Sequence, residues 1–307
     1  MHYDTIGITI GTYCNANCSI CCMSNEEKTK IDIEKVEQYI QSTKNYDKLK
    51  NICFTGGEVM CYYDELIKLI SLANNCGKTC GIITNGYWGK DLVDCKNKIK
   101  TLRSNGLKYI TLSYDEFHEK YIPIKSIINI IQASKELDVK ISIQSVTLKN
   151  TYNSKWISQM GAYLEDVNIN FVPCMPTGNA KECIDTDEYP RLYEINGLKC
   201  RKSGSFSITS DGKIWPCCSA IITETALVID YLGYDIVDTI NKLQCNVILY
   251  ALRNYGFDFF IDIAERELNI TLPKYVISSC ELCSLLFSDK YIEKMYAYTK
   301  KKLLILN

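Results

Sequence analysis

The sequence predicts an α/β fold: a parallel sheet curling into a partial (β/α)6, TIM-like barrel, followed by a small hairpin-plus-helices domain. Three observations carry this. Strand-like and helix-like segments alternate six times through residue 180. A chain of 307 residues can bury one large core and a smaller second one. After Ala180 the alternation stops, and a polar linker leads to a turn-marked hairpin and helices. The boundary is therefore drawn between residues 1–180 and 181–307.

The first strand is the apolar, β-branched run Ile6–Ile10. Short buried strands follow at Asn51–Phe54, Thr79–Thr84, Tyr109–Ser113, Lys140–Val146 and Val167–Val172. Helical patterns separate them at Ile33–Thr43, Asp64–Asn75, Leu92–Asn105, Ile124–Leu137 and Asn153–Tyr163. In such a barrel the loops after the strands' C-terminal ends carry function. Lys181–Lys199 reads as an irregular linker. Asp211-Gly212, between two alternating runs, marks a hairpin. Helices are expected at Asp235–Tyr255 and Phe257–Leu268, with Phe257, Phe259 and Phe260 in a core.

Composition narrows the class. Net charge is −1, and no basic excess suggests a nucleic-acid partner. No apolar run reaches membrane-spanning length and no signal peptide opens the chain, so no membrane partner is expected. Seventeen cysteines without an export signal fit a reducing cytoplasm and metal ligation better than disulfides. His2 and His118 are the only histidines, which leaves little support for a histidine-based triad or metal site.

Chemistry concentrates after the strands. Cys14, Cys18 and Cys21 stand in a C-x3-C-x2-C loop straight after the first strand. Three thiolates on one loop can grip three irons of a [4Fe–4S] cluster and leave the fourth open to a small molecule. Zinc, the competing reading, would want a fourth ligand nearby and a different spacing. The second strand ends in Gly56-Gly57-Glu58, where paired glycines admit close backbone approach and a carboxylate can meet an ammonium group. Asn85, Ser113 and Asp115 lie at the ends of the next two strands, and Gln144 lies on the fifth. Each is a candidate ligand contact or an internal polar contact. Further on, Cys200 and Cys217 bracket the hairpin and Cys280-x2-Cys283 follows, a four-thiolate set suited to a cluster or to zinc.

The cysteine loop, Gly-Gly-Glu and Pro176-x-Gly178-x-Ala180 together resemble the radical SAM superfamily. That resemblance implies a [4Fe–4S] cluster on Cys14, Cys18 and Cys21. It also implies that S-adenosylmethionine is bound on the open iron and met by Gly56, Gly57, Glu58, Asn85, Ser113, Asp115 and Gln144. Ile20 departs from the aromatic residue or His usual before the last cysteine. The later cysteines are similar to the SPASM and twitch extensions, which implies an auxiliary [4Fe–4S] cluster on Cys200, Cys217, Cys280 and Cys283. Such extensions go with ribosomally made precursor peptides, and an electron donor such as flavodoxin or ferredoxin is implied as well. The chain opens at its first strand, so the peptide is expected to bind the barrel mouth directly.

Cys218, next to an expected ligand, is the candidate catalytic thiol. It would return a hydrogen atom to a peptide α-carbon and turn an L residue into a D residue, and a nearby auxiliary cluster would then reduce the thiyl. Which of Cys217 and Cys218 is the ligand stays open at this stage. Thioether or carbon–carbon crosslinking is the alternative reaction, and a non-catalytic iron–sulfur scaffold or regulator the alternative class. Cys53, Cys61, Cys76, Cys80, Cys95, Cys183 and Cys245 read as structural thiols.

Overall fold

A computed structural model describes residues 3–23, 28–151, 154–200, 204–233 and 235–306. Strand β1 is Thr5–Thr9, followed by helix α1 (Ile33–Ser42), β2 (Asn51–Thr55), α2 (Tyr63–Asn75), β3 (Thr79–Thr84) and α3 (Leu92–Ser104). Then come β4 (Leu107–Ser113), α4 (Ile124–Glu136), β5 (Lys140–Thr147), α5 (Ser154–Met160) and β6 (Asn168–Pro173). Asn153, the expected start of α5, lies outside the described residues, as does His2. Helix starts follow capping chemistry: Asp32 accepts from the Lys35 amide and Asp91 from the Asp94 amide.

β1 to β6 pair in parallel and in chain order. One face carries Ile6, Ile8, Ile52, Phe54, Ile82, Ile110 and Ile143, all fully buried in one core with residues of α1 to α4. Alternation sends the intervening side chains to the opposite face, which is the barrel interior. Among the described residues no helix is long and apolar enough to cross a membrane.

The remaining chain forms α6 (Asn179–Cys183), β7 (Tyr193–Glu194), β8 (Ser205–Ile208), β9 (Lys213–Trp215) and β10 (Asp230–Tyr231). It ends in α7 (Ile236–Cys245), α8 (Val247–Tyr255), α9 (Asp258–Asp262), β11 (Tyr275–Val276), α10 (Ser279–Leu286) and α11 (Ile292–Leu306). The hairpin does not stand apart. β8 pairs with β1 in parallel, so one nine-stranded sheet runs β10-β9-β8-β1-β2-β3-β4-β5-β6. Its turn is the expected one, with Gly212 at φ 82° and Asp211 accepting from the Thr209 hydroxyl at 2.6 Å. Phe206, Ile208 and Ile214 join the barrel core. A second core forms among the last helices, where Phe257, Phe259, Phe260 and Phe287 are buried; each fully buried ring contributes about 1.5–3 kcal/mol.

Three expectations are corrected here. The helix read as Asp235–Tyr255 breaks at Asn246, whose backbone is extended and whose side chain caps the Leu249 amide at 3.1 Å. The helix read as Phe257–Leu268 is α9 followed by a π-helical turn at Ile263–Glu267. The linker at Lys181–Lys199 is partly ordered: β7 pairs with β11, and Arg191 forms an ion pair with the buried Glu281 at 2.9 Å.

Candidate active site

The cysteine loop leaves β1 at the C-terminal end of the sheet, and the turn after β2 lies against it. The Gly57 amide donates to the Gly11 carbonyl at 2.8 Å and the Glu58 amide to the Tyr13 carbonyl at 2.8 Å. A Cβ on Gly56 would stand 2.8 Å from the Gly11 oxygen, and one on Gly57 would collide with the Thr12 and Tyr13 carbonyls. The paired glycines are therefore required first by the cysteine loop itself. Within the loop, the Ala16 amide donates to Cys14 Sγ and the Met23 amide to Cys21 Sγ, both at 3.4 Å. Ile20 is buried in a small apolar cluster with Cys18, Phe117 and Cys174, so it packs rather than faces a ligand.

Glu58 is 1% exposed. Its Oε1 accepts from the Thr84 hydroxyl at 2.6 Å and the Met60 amide at 2.9 Å, and its Oε2 accepts from the Asn85 amide at 2.7 Å. The carboxylate thus ties the end of β3 to the turn after β2. Burial pushes its pKa up and these three hydrogen bonds oppose the shift. Glu58→Gln puts an amide N–H₂ against a donor, so we expect about 1–3 kcal/mol lost in denaturant unfolding. An unchanged midpoint would remove this brace from the account.

Asn85 serves the loop directly: its Nδ2 donates to Asn15 Oδ1 at 3.0 Å and to Cys14 Sγ at 3.6 Å. Asp115 is fully buried, with Oδ1 accepting from the Phe117 and His118 amides and lying 2.8 Å from His118 Nδ1, while Oδ2 accepts from the Val146 amide. It therefore locks the loop after β4 onto β5. Ser113 and Gln144 are neighbours in register, Asn170 stands beside Gln144, and all three fall on the interior face. Among the described residues nothing hydrogen-bonds to the side chains of Ser113 or Gln144, so they are open to a ligand.

At the opposite end of the strands lies a second sulfur-rich region. The Ser207 hydroxyl donates to the Cys217 carbonyl at 2.8 Å, which anchors the turn after β9 to β8. Cys218 Sγ donates to the Phe206 carbonyl at 3.1 Å. A Cβ on Gly7 would stand 3.1 Å from that sulfur, so Cys218 lies over the interior face of β1. Burial, and then the nearby thiols of this set, push Cys217 and Cys283 up. Ser278 caps α10 by accepting from the Cys280 amide at 3.1 Å. Tyr3, whose hydroxyl accepts from the Arg253 guanidinium, closes the region beneath β1.

Electrostatics in both sulfur regions call for a cationic centre. Burial pushes the Cys18 thiol up to about 12, with Cys21 adding to it, and burial also raises Cys14 and Cys21. Burial pushes Cys217 up to about 12 and Cys283 well above the usual thiol range. Such thiols become thiolates only against bound metal, and loading would release their protons. Among the described residues no three Cys, His, Asp or Glu side chains are grouped as ligands of a single ion would be. Cluster ligands each hold a different iron, so thiols on separate elements can serve one cluster.

Sequence reasoning missed the interior partners of Cys218. Cys53 alternates with the buried Ile52 and Phe54, which puts it on the barrel's inner face, and Tyr109 of β4 shares that face. The N-I-C-F-T alternation of β2 already held that signal.

A parallel partial barrel with a three-cysteine loop after its first strand defines a class. Residues 8–153 match the Radical SAM superfamily, so the chain carries a radical SAM domain. Such a domain implies a [4Fe–4S] cluster and S-adenosylmethionine. Over 311 residues, and 98% of both chains, it is 28% identical to the peptide biosynthesis protein YydG of Bacillus subtilis (strain 168). Its fold is similar to that of Streptococcus suis SuiB, solved bound to precursor peptide SuiA. That match has TM-score 0.50 and 17% identity over 83% of this chain and 68% of that one. BtrN, solved with AdoMet and 2-DOIA, matches with TM-score 0.51 and 12% identity over 82% of this chain and 88% of that one.

Proposed function

We propose that this chain matures a ribosomally made peptide by converting an L residue to a D residue. The observation that carries this is the placement of Cys218. Its sulfur lies over Gly7, near the start of β1, whereas the cysteine loop leaves the far end of that strand. Gly7 and Gly11 are four residues apart, about 13 Å of extended chain. A peptide α-carbon held between them would face the two ends with its two faces. The full-length likeness to a peptide biosynthesis protein supports a peptide as substrate.

Each group then has a task. Cys14, Cys18 and Cys21 would hold the cluster, with Gly56 and Gly57 keeping the loop in place and Asn85 bracing Cys14. Bound there, the cluster and S-adenosylmethionine supply a 5′-deoxyadenosyl radical. Ser113 and Gln144 offer unpaired polar groups at the level of that cofactor. Glu58 and Asp115 position the loops and touch no ligand. Cys218 gives its thiol hydrogen to the α-carbon from the face opposite the one that lost hydrogen. Cys200, Cys217, Cys280 and Cys283 would hold an auxiliary cluster beneath β1. Cys217, whose pKa rises through Cys280 and Cys200, is the ligand in this reading, which leaves Cys218 for the substrate. A ferredoxin or flavodoxin would serve as electron donor.

The test uses a synthetic candidate precursor peptide, chosen from whatever short reading frames the neighbouring genes supply, incubated anaerobically with the iron-loaded protein in heavy water. We expect a gain of one mass unit at one residue, with that residue D after hydrolysis. A loss of two mass units would replace epimerisation with crosslinking.

A further inference from the structure

Three oxidisable side chains form a row across the floor of the barrel, and two glycines make room for it. Gly7, Cys53, Gly81 and Tyr109 are successive partners on β1, β2, β3 and β4. Gly7 seats the Cys218 sulfur, because a Cβ there would stand 3.1 Å from it. Gly81 seats the Tyr109 ring, because a Cβ there would fall inside it. The ring therefore lies across β3 and brings its hydroxyl to the Cys53 thiol. Cys53 is the nearest interior side chain on the strand next to the one beneath Cys218. Burial raises the pKa of both Cys53 and Tyr109, so both keep their hydrogens at neutral pH. Two absent side chains in one row, each filled by a thiol or a phenol, is more than packing needs.

We propose that Cys218, Cys53 and Tyr109 form a hydrogen-atom relay that moves the radical away from the newly made D centre. This rests on Cys218 being the hydrogen donor. In the first step the Cys218 S–H bond breaks, the α-carbon gains C–H, and a thiyl remains on Cys218. Next, the Cys53 S–H hydrogen passes to Cys218 and the thiyl moves to Cys53. The Tyr109 O–H hydrogen then passes to Cys53 and leaves a phenoxyl radical on Tyr109. S–H and phenolic O–H bonds are close in strength, so the transfers are nearly balanced. One electron from a low-potential flavin or iron–sulfur donor and one proton from water restore the phenol. The benefit is direction: a thiyl left beneath the product would take the α-hydrogen back, whereas the Tyr109 ring lies beyond Cys53, over β3 instead of β1.

The experiment uses the iron-loaded full chain, S-adenosylmethionine, dithionite and the same synthetic candidate peptide, freeze-quenched for electron paramagnetic resonance. We expect a tyrosyl signal whose splitting changes when Tyr109 is replaced by 3,5-difluorotyrosine and which vanishes in Tyr109→Phe and Cys53→Ser. Both variants should form the first D residue per chain and lose the later turnovers, with S-adenosylmethionine cleavage retained as the control for folding. A parent without a tyrosyl signal, a signal unchanged by the fluorinated residue, or Cys53→Ser turning over like the parent would overturn the relay. Failure of the underlying reading looks different: the parent then makes no D residue, or Cys218→Ala makes it at the normal rate. Should Tyr109→Phe not fold, the fluorinated ring still sits on Gly81 and gives the same decision.

Discussion

Cys218→Ala should still cleave S-adenosylmethionine and still remove the peptide α-hydrogen, yet form the D residue at least about 100-fold more slowly, the scale for losing a positioned transfer group. The expectation follows from where the sulfur is. It is an exposed thiol over Gly7, held by its hydrogen bond to the Phe206 carbonyl at 3.1 Å. No other thiol has that seat. Without a donor on that face the carbon radical is stranded and ends in side products. Cys218→Ser separates chemistry from structure. A hydroxyl can keep the hydrogen bond to Phe206, but its O–H bond is too strong to yield a hydrogen atom to an α-carbon. Rescue by serine would therefore make Cys218 a structural residue. Chiral amino-acid analysis of the peptide, beside 5′-deoxyadenosine quantified in the same tube, reads both quantities. A normal rate in the alanine variant would remove the thiol from the mechanism and bring crosslinking forward.

How far the site was legible depends on what each residue faces. The six βα units could be read because helices bury one face of each strand, which leaves short β-branched stretches such as Ile6–Ile10 with isoleucine at every second position. Pairing of β8 with β1 could not, since Ser205–Ile208 is short and its partner lies about 200 positions earlier in sequence. Glu58 and Asp115 illustrate a second limit. A carboxylate after a strand reads the same whether it meets a ligand or caps backbone amides, and only burial separates the two. The same holds for glycine. Gly56 and Gly57 were expected to admit a ligand, but their nearest neighbours are carbonyls of the cysteine loop. Cys53 read as a structural thiol because its strand was considered without its neighbours. Once Gly7 and Gly81 flank it, the missing side chains become the information.

The second large effect concerns the two cysteine sets. Replacing Cys14, Cys18 and Cys21 together with Ala should abolish 5′-deoxyadenosine formation while leaving auxiliary iron in place. The two sets sit on different elements, one on the loop after β1 and the other with Cys217 and Cys200 near Tyr3, although Ile277 before α10 packs in the cluster that holds Cys18 and Ile20. Each has its own anchors, Glu58 and Asn85 for the first and the Ser278 cap with the Arg191–Glu281 pair for the second. Neither set should need the other to fold. Conversely, replacing Cys200, Cys217, Cys280 and Cys283 should leave about half the iron of the reconstituted parent, as expected for one cluster of two. A cluster held by four thiols would tie α10 to the hairpin turn, so this variant should also melt earlier. Iron, zinc and sulfide assays decide the matter. Zinc in the parent with no iron above that of the four-cysteine variant would make the second site a zinc site. Continued cleavage of S-adenosylmethionine by the three-cysteine variant would mean that the loop after β1 holds something other than the expected cluster.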